Sequence, residues 1–220
     1  MMDLSQFTIK GLLVQEIRDE IICGNFEPGM RLRLRNLADQ FNVSTQPIRE
    51  ALSELEAEGL VQTEPRRGAI VTALSAEELL DLYEIRATLE SMATRLAVPH
   101  VTAEEIEALN GLIEDMDGHM GKVVELVQLN KQFHLTLYTL SGRKHLCSII
   151  NSLRNSTAHY LHAYMHGLGG MPLAQDEHRA IVEACKANDA AEAAAMMYRH
   201  VMQAGEGIIE YVNREDRDRE

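Results

Sequence analysis

The sequence predicts a mainly α-helical protein in two parts: an N-terminal winged helix-turn-helix over residues 1–73 and an all-helical bundle over residues 74–220. Three observations support this fold class. Apolar residues recur at helical spacing along most of the chain. Only two short stretches alternate as strands do, and a turn joins them. From Ser75 onward the apolar patterns are helical throughout.

The first 60 residues contain three predicted helices. The first spans residues 8–23, and Gly24 with Asn25 ends it. A short helix follows over residues 34–41. The third covers residues 44–58, with Ser44 expected as its N-cap and Pro47 in the first turn, where a missing N–H costs little.

A hairpin follows the third helix. Residues 60–63 and 69–72 predict two short strands, and Glu64-Pro65-Arg66-Arg67-Gly68 predicts the turn between them, with two arginines at its tip. Two helices, a turn, a third helix and a hairpin make up a winged helix-turn-helix. Residues 73 and 74 are the expected linker.

The remaining residues predict a helical bundle. Ser75 with Glu78 and Thr102 with Glu105 form capping boxes that begin helices reaching about residues 97 and 117. Further helices are predicted up to residue 140, up to residue 166, over 173–187 and over 190–212. Residues 167–172 predict a flexible loop, and the charged residues 213–220 are expected to fray.

The net charge of −13 argues against a generally basic, non-specific nucleic-acid binder. The acidity is uneven, however. Residues 1–73 hold 8 basic and 11 acidic side chains, a balance of −3, and the remainder carries −10. Between residues 28 and 49, four arginines (31, 33, 35 and 49) face one acid, Asp39. A local surface for phosphates is therefore compatible with the composition.

The composition also bounds the cellular location. The sequence has no apolar run near the roughly 20 residues that span a bilayer, and its first residues lack the pattern of a signal peptide. Cys23, Cys147 and Cys185 are far apart and lack metal-binding spacing. We therefore expect a cytoplasmic protein with reduced thiols and no membrane partner.

The third helix carries short polar and basic residues where a recognition helix meets base edges. These are Ser44, Thr45, Gln46 and Arg49. Arg49 can reach a guanine or a phosphate, and Gln46 can pair with adenine. Arg35, on the preceding helix, is placed to meet the DNA backbone or an adjacent base. Arg66 and Arg67 would lie over the minor groove, but an ordinary solvated turn explains them almost equally well.

Four residues of the bundle suggest a metal site. Asn130 and His134 are four apart and share a helix face, and His178 and His200 lie on two later helices. Three imidazoles and one oxygen suit zinc or nickel. Spacing alone also fits buried structural histidines. His159, His162 and His166 form a rival cluster on one helix, for which a solvated or dimer-facing stripe is the preferred interpretation.

The N-terminal part resembles the GntR family of bacterial transcription regulators. The matching segments are Gly24-Asn25-Phe26-Glu27-Pro28-Gly29, Leu37-Ala38, Val43-Ser44-Thr45-Gln46-Pro47-Ile48-Arg49-Glu50-Ala51-Leu52, Glu58-Gly59-Leu60-Val61 and Arg67-Gly68-Ala69-Ile70-Val71. The resemblance implies a homodimer on double-stranded operator DNA, with Gly68 in the wing. The family commonly has an arginine where this chain has Thr45, so the operator is expected to differ.

Residues 76–212 resemble the all-helical FCD effector domain of the FadR-type subgroup. The matching segments are Tyr83-Glu84-Ile85-Arg86, Leu89-Glu90, Asn130-Lys131-Gln132-Phe133-His134, Glu177-His178-Arg179-Ala180-Ile181 and Met197-Tyr198-Arg199-His200. The resemblance implies that Asn130, His134, His178 and His200 bind a divalent metal. The subgroup more often has Asp at the first position.

A bound cation would attract a carboxylate, so the resemblance implies a small organic acid as the effector. Arg86 resembles an arginine that faces this pocket, and Arg154 is a second candidate for the same task. The alternative for Arg86 is a structural salt bridge with Glu90, four residues later. These features predict a ligand-responsive transcription regulator.

Two other function classes compete with this prediction. A metal-dependent hydrolase or lyase would need a base near the histidines, and Glu177 is expected on another helix face than its neighbour His178. The sequence has no HExxH motif, nucleophile elbow or glycine-rich phosphate loop. An adaptor that does not bind DNA would not need the recognition-helix and wing signals. We therefore predict a regulator and not an enzyme.

Overall fold

The computed structural model describes residues 8–64, 68–168 and 172–219. Their contacts divide the chain into two units, Met1–Leu74 and Ser75–Glu220. The elements of the first unit are α1 (Ile9–Ile22), β1 (Arg31–Leu32), α2 (Leu34–Gln40), α3 (Thr45–Ala57), β2 (Val61–Glu64) and β3 (Gly68–Val71). The predicted helix-turn-helix and hairpin are confirmed. Strand β1 was missed because two residues are too few to show an alternating pattern.

The strands form an antiparallel sheet in the order β1-β3-β2. Beside it, α1, α2 and α3 contribute to one apolar core. Helix α3 buries Ile48, Ala51, Leu52 and Leu55, which recur at helical spacing on one side. The opposite side of α3, which carries its polar residues, is therefore exposed to solvent.

Gly68 begins β3 where two strands approach closely. Its φ of +112° is rarely adopted by L residues, and a Cβ there would lie 2.0 Å from the backbone carbonyl oxygen of Leu32. The next residue along, Ala69, is paired with Leu32 across β1 and β3. The glycine thus allows the third strand to join the sheet.

We expect Gly68→Ala to lower the free energy of unfolding by about 2 kcal/mol or more, since it adds a backbone clash to the strain of a positive φ. Gly29→Ala is the matched control, because Gly29 has φ +80° but open space around the added Cβ. The control should cost roughly 1 kcal/mol. Urea unfolding of the full-length protein measures the free energy of unfolding of both variants. Equal decreases would contradict the role given to the close approach of Gly68 to the Leu32 carbonyl.

The second unit is helical in its described residues. Its helices are α4 (Ala76–Ala97), α5 (Ala103–Gly118), α6 (Val123–Thr139), α7 (Lys144–Leu168), α8 (Pro172–Lys186) and α9 (Ala190–Arg219), with a 3₁₀ turn at Val98–His100. Both predicted capping boxes are present, with Ser75 and Glu78 at the start of α4 and Thr102 and Glu105 at the start of α5. None of the described helices is long and apolar enough to cross a membrane.

The predicted fraying of residues 213–220 was wrong for residues 213–219, which continue α9. Arg214 pairs with Glu210 one turn earlier at 3.0 Å, and Arg217 Nε donates to the carbonyl of Asn213 at 2.9 Å. Such contacts between side chains one turn apart support a polar helix end. Helix α7 extends to Leu168 and α8 begins at Pro172, so residues 167, 168 and 172 of the predicted loop are helical, and residues 169–171 lie outside the described residues.

Helices α4 and α9 pack along each other, while α6 and α7 pack against α4 and α8 packs against α9. Gly205 of α9 lies so close to Tyr83 of α4 that an added Cβ would be 2.5 Å from the ring. This close packing directs side chains from five helices, α4 and α6 to α9, toward one interior region.

The histidine stripe on α7 differs from the prediction. His162 is half-buried and His166 is exposed, but His159 is only 5% exposed, so a solvated stripe is wrong for this residue. Neither ring nitrogen of His159 has a hydrogen-bond partner among the described residues. Burial lowers the pKa of His159 to about 4, which keeps the ring neutral at pH 7.

The pKa of His159 predicts a pH-dependent stability. An unfolded chain takes up a proton near pH 6.5, whereas the folded ring resists it until about pH 4, so folding loses stability as the pH falls through this window. The free energy of unfolding of His159→Leu, relative to that of wild type, should therefore rise by roughly 3 kcal/mol as the pH is lowered from 7.5 to 4. Urea midpoints across this range test it, with His166→Leu as the exposed control. Parallel pH profiles for the wild type and His159→Leu would refute it.

Candidate functional site

The exposed side of α3 carries the residues predicted to read DNA. Ser44, Thr45, Gln46 and Arg49 are all exposed. The Ser44 hydroxyl makes no capping hydrogen bond although Ser44 is the N-cap. Gln46 donates to Glu50 at 2.8 Å, and Arg49 approaches the Gln46 oxygen at 3.4 Å. The helix therefore presents hydroxyl, amide and guanidinium groups that are held only by exposed neighbours.

The cations of the first unit fall into two groups. Carboxylates hold three of them, in the pairs Lys10–Glu54, Arg18–Glu58 and Arg31–Glu64. Arg33, Arg35 and Arg49 are exposed and form no ion pair with any described residue. These three arginines, which lie at the start of α2 and on α3, are the available positive charges for phosphates. Arg66 and Arg67 lie outside the described residues.

Arg33 is one of the four arginines between residues 28 and 49 but was not itself predicted to contact DNA. It is the N-cap of α2 and makes no side-chain capping bond. An N-cap is normally an acceptor such as Ser or Asp, and a cation at a helix N-terminus is electrostatically unfavourable. An arginine at a position that prefers the opposite chemistry is the signal that could have found it.

The predicted metal and effector residues of the second unit line one cavity of about 40 Å³. Five helices supply its polar wall: Arg86 from α4, Asn130 and His134 from α6, Arg154 from α7, Gln175 and His178 from α8, and His200 from α9. Residues more than 100 positions apart are therefore brought together.

Three imidazoles converge at this cavity. The Nε2 atom of His134 lies 3.4 Å from that of His178 and 3.3 Å from that of His200. All three side chains are buried, and together they could hold a metal ion. Zinc bonds of about 2.0 to 2.1 Å in a tetrahedral site separate neighbouring ligand nitrogens by about 3.4 Å. The spacing therefore fits a single metal ion.

Hydrogen-bond partners assign the tautomers of two of these rings. The Tyr138 hydroxyl donates to Glu90 at 2.5 Å, so its oxygen accepts from His134 Nδ1 at 2.9 Å. Glu177 accepts from His200 Nδ1 at 2.6 Å. A proton on each Nδ1 leaves the Nε2 lone pairs facing one another. That arrangement is repulsive by itself and suits a shared cation.

The pKa values of His134 and His178 show that these two rings are neutral. Burial holds the pKa of His134 well below its usual range, and the nearby Arg154 lowers it further. Burial likewise holds the pKa of His178 well below its usual range. Both rings are therefore neutral at pH 7, the form that binds metals.

Glu177 is a residue whose role sequence reasoning missed. Its carboxylate is bonded to Nδ1 of His200, on the ring edge away from the three converging Nε2 atoms. It is thus placed to orient His200 and not to act as a base on a water at the Nε2 atoms. Its position next to His178 gave no sign that it contacts the other helix.

The two arginines of the cavity share one carboxylate, Glu90. Arg86 Nε donates to Glu90 at 2.8 Å and its Nη1 to Thr157 at 2.9 Å, while its guanidinium lies 4.5 Å from the Tyr83 ring centroid. The salt bridge that was the alternative for Arg86 is therefore present. Arg154 Nη1 donates to the other Glu90 oxygen at 2.7 Å. Although burial alone would raise it, Arg154 and Arg86 hold the pKa of Glu90 below its usual value.

Three polar atoms of residues on the cavity wall are buried and have no partner among the described residues. They are Arg154 Nε, Gln175 Oε1 and His178 Nδ1. Buried polar groups are nearly always paired in native proteins. The cavity therefore carries unused hydrogen-bonding capacity, which points to a bound ligand or a rearrangement on binding.

Comparisons with known proteins agree with both units. Residues 11–71 match the family of bacterial regulatory proteins called gntR, and residues 81–203 match the FCD domain. The second match alone spans more than half of the chain.

Individual relatives give the same result. The Nta operon transcriptional regulator of Aminobacter aminovorans is 31% identical over 86% of this chain and 89% of its own length. The transcriptional regulator YdhC of Bacillus subtilis is 33% identical over 66% of each chain. The structure of Escherichia coli McbR/YncC covers 94% of this chain and 100% of its own, with a TM-score of 0.83 at 24% identity, which supports the fold.

An exposed helix face with unpaired arginines, a helical unit with a polar cavity, and these matches agree. The chain belongs to the gntR family of bacterial regulatory proteins: it is a DNA-binding transcription regulator whose helical unit is an FCD effector-binding domain.

Proposed function

We propose that this regulator senses a small carboxylic acid bound beside a divalent metal, zinc or nickel, in the cavity of its helical unit. The observation that carries the proposal is the convergence of three buried imidazole nitrogens next to an arginine with an unused donor. Binding of the acid then changes the affinity of a homodimer for its operator.

The proposed ligands are His134, His178 and His200 through Nε2, with Asn130 supplying an oxygen. Asn130 is half-buried, lines the same cavity and lies one helical turn before His134. Because all four ligands are neutral, they leave the full charge of the metal uncompensated. When bound, the metal supplies a Lewis-acidic position that attracts a carboxylate oxygen.

Arg154 is the proposed contact for the acid. Its Nη1 is held by Glu90, which fixes the guanidinium, while its Nε remains a buried donor without a partner among the described residues. Arg86 also lines the cavity, but two of its nitrogens are already engaged by Glu90 and Thr157. Arg86 therefore serves mainly to hold Glu90, and Arg154 is the better candidate to bind the effector.

Charge and size limit the effector. The two buried arginines exceed the single buried Glu90 by one positive charge, so the cavity favours an anion even before a metal is added. A space of about 40 Å³ accommodates a few water-sized groups. A compact acid with few carbon atoms fits these limits better than a long-chain acid.

On the DNA side, we propose that Arg49 and Gln46 contact bases, with Ser44 and Thr45 beside them, and that Arg35 and Arg33 contact phosphates. Arg66, Arg67 and Gly68 are the proposed wing contacts, although the conformation of Gly68 is already explained by its approach to Leu32. A homodimer places two such helices on two operator half-sites.

Regulation follows from linkage between the two sites. An acid that binds one state of the dimer more tightly shifts the population toward that state, and operator DNA changes the affinity for the acid by the same factor. The experiment that tests the function as a whole is therefore a reciprocal titration. The affinity for the acid is measured with and without operator DNA, and the affinity for operator DNA is measured with and without the acid.

The DNA assignment predicts two different mutant phenotypes on an operator selected from random duplexes with the wild-type protein. Arg49→Ala should lose about 10- to 100-fold in affinity for this operator but little for random DNA, since base contacts carry specificity. Arg33→Ala should weaken both and reduce the salt dependence by about one counterion per protomer.

Lys10→Ala is the matched control, because Lys10 is exposed but already neutralised by Glu54. Its affinities for the operator and for random DNA should both stay within about twofold of wild type, as expected for an exposed surface ion pair. Unchanged operator binding by Arg49→Ala would rule out α3 as the recognition helix.

The cavity assignment predicts that the doubly substituted His134→Ala/His178→Ala protein purifies without metal, measured by elemental mass spectrometry against wild type. Arg154→Gln should keep the metal but bind small carboxylic acids at least about tenfold more weakly, because it loses a charge-assisted hydrogen bond. Isothermal titration of an acid panel into metal-loaded protein measures this.

Arg86→Gln is the comparison variant. It should lower the melting temperature, since it removes a buried partner of Glu90, but should weaken acid binding less than Arg154→Gln does. Full metal content in the double histidine variant would refute the ligand set. Equal acid affinity in wild type and Arg154→Gln would refute the effector contact.

A further inference from the structure

We infer that Gln175 is the outer-sphere partner of His178: its side-chain oxygen accepts the Nδ1 hydrogen bond of His178 when Nε2 holds the metal. This inference rests on the metal site of the proposed function. It assigns a role in metal affinity to a residue outside the four ligands.

The three histidines are unequally supported. His134 Nδ1 bonds to Tyr138, and His200 Nδ1 bonds to Glu177. His178 Nδ1 is buried, in a side chain only 1% exposed, and has no partner among the described residues. With Nε2 directed at the other two rings, the proton of the neutral imidazole belongs on Nδ1. A buried N–H without an acceptor costs about 1–3 kcal/mol.

Gln175 has a buried acceptor that lacks a donor. Its side chain is 5% exposed, and Oε1 is buried without a partner among the described residues. It lies three residues before His178 on α8, so both belong to one face of that helix, and both line the cavity. Helical side chains lean toward the N-terminus, which brings His178 over the turn that carries Gln175. One hydrogen bond between them satisfies both atoms.

The described side chains next to His178 in the sequence and on its ring do not offer a better acceptor. Asp176 is exposed and pairs with Arg179, and Glu177 is occupied by His200. Phe133 packs on the His178 ring at a centroid distance of 4.4 Å and has no acceptor atom. Gln175 is therefore the acceptor that rotation about its own side-chain bonds can bring to His178.

This bond would complete a pattern in which each metal-binding imidazole is oriented from its far edge: by a phenol at His134, a carboxylate at His200 and an amide at His178. Outer-sphere partners of this kind typically change metal affinity about 10- to 100-fold when removed. Gln175 is thus a positioning residue. It affects the metal through the orientation and tautomer of His178.

The test is zinc affinity of the full-length protein, stripped of metal and titrated in competition with a chromophoric chelator. Gln175→Leu should lower the affinity about 10- to 100-fold, whereas Gln175→Glu should match or exceed wild type because a carboxylate is the stronger acceptor. Gln203→Leu is the control, since Gln203 is an exposed glutamine on α9. It should not change the affinity.

A second readout is the ¹⁵N-edited NMR signal of the His178 Nδ1 proton in zinc-loaded protein. The signal should be protected from exchange in wild type and Gln175→Glu, and exchange-broadened in Gln175→Leu. A purely structural role for Gln175 would lower the melting temperature of the metal-free protein without this spectroscopic change, and that result would overturn the inference.

The remaining outcomes separate this inference from the proposed function. Absence of zinc binding by wild type would reject the metal site itself. Wild-type zinc affinity in Gln175→Leu would reject the role of Gln175 while leaving the metal site intact. Unchanged zinc affinity together with weaker binding of acids would show that Gln175 contacts the effector, which also overturns the inference.

Discussion

The helical unit depends on the buried carboxylate of Glu90. This group is fully buried and accepts from Arg86, Arg154 and Tyr138, which lie on three different helices. A buried carboxylate is strongly unfavourable unless it is paired on all sides. Because Tyr138 in turn orients His134, one acidic residue of α4 sets the position of an imidazole that could hold a metal ion and of both arginines of the cavity.

Both candidate sites contain arginines that the described residues pair only in part or not at all. In the first unit, carboxylates neutralise Lys10, Arg18 and Arg31, while Arg33, Arg35 and Arg49 form no ion pair with described residues. In the second unit, Glu90 fixes Arg154 through one nitrogen and leaves another unused. A chain with a net charge of −13 can thus offer positive groups to DNA phosphates and, on the proposed function, to a carboxylate, because local pairing decides where positive charge is available.

Structural features that depend on residues close together in the chain were predicted correctly from the sequence. The spacing of Ile48, Leu52 and Leu55 gave the buried face of α3, and the capping boxes gave the starts of α4 and α5. The histidines that meet at the cavity came from helical spacing combined with a family resemblance. The missed features depend on contacts between distant residues. Glu90 and Tyr138 are 48 positions apart, and Glu177 and His200 are 23 positions apart, so periodicity does not reveal their contacts.

The convergence of His134, His178 and His200 has a consequence for the proposed sensor. Without a cation, the Nε2 lone pairs of His134 and His200, whose protons lie on Nδ1, repel each other across 3.3 Å, so this arrangement is least stable when metal is scarce. On the proposed function, the cavity would act as a coincidence detector: the affinity for the operator would respond to the acid only when a metal is also bound.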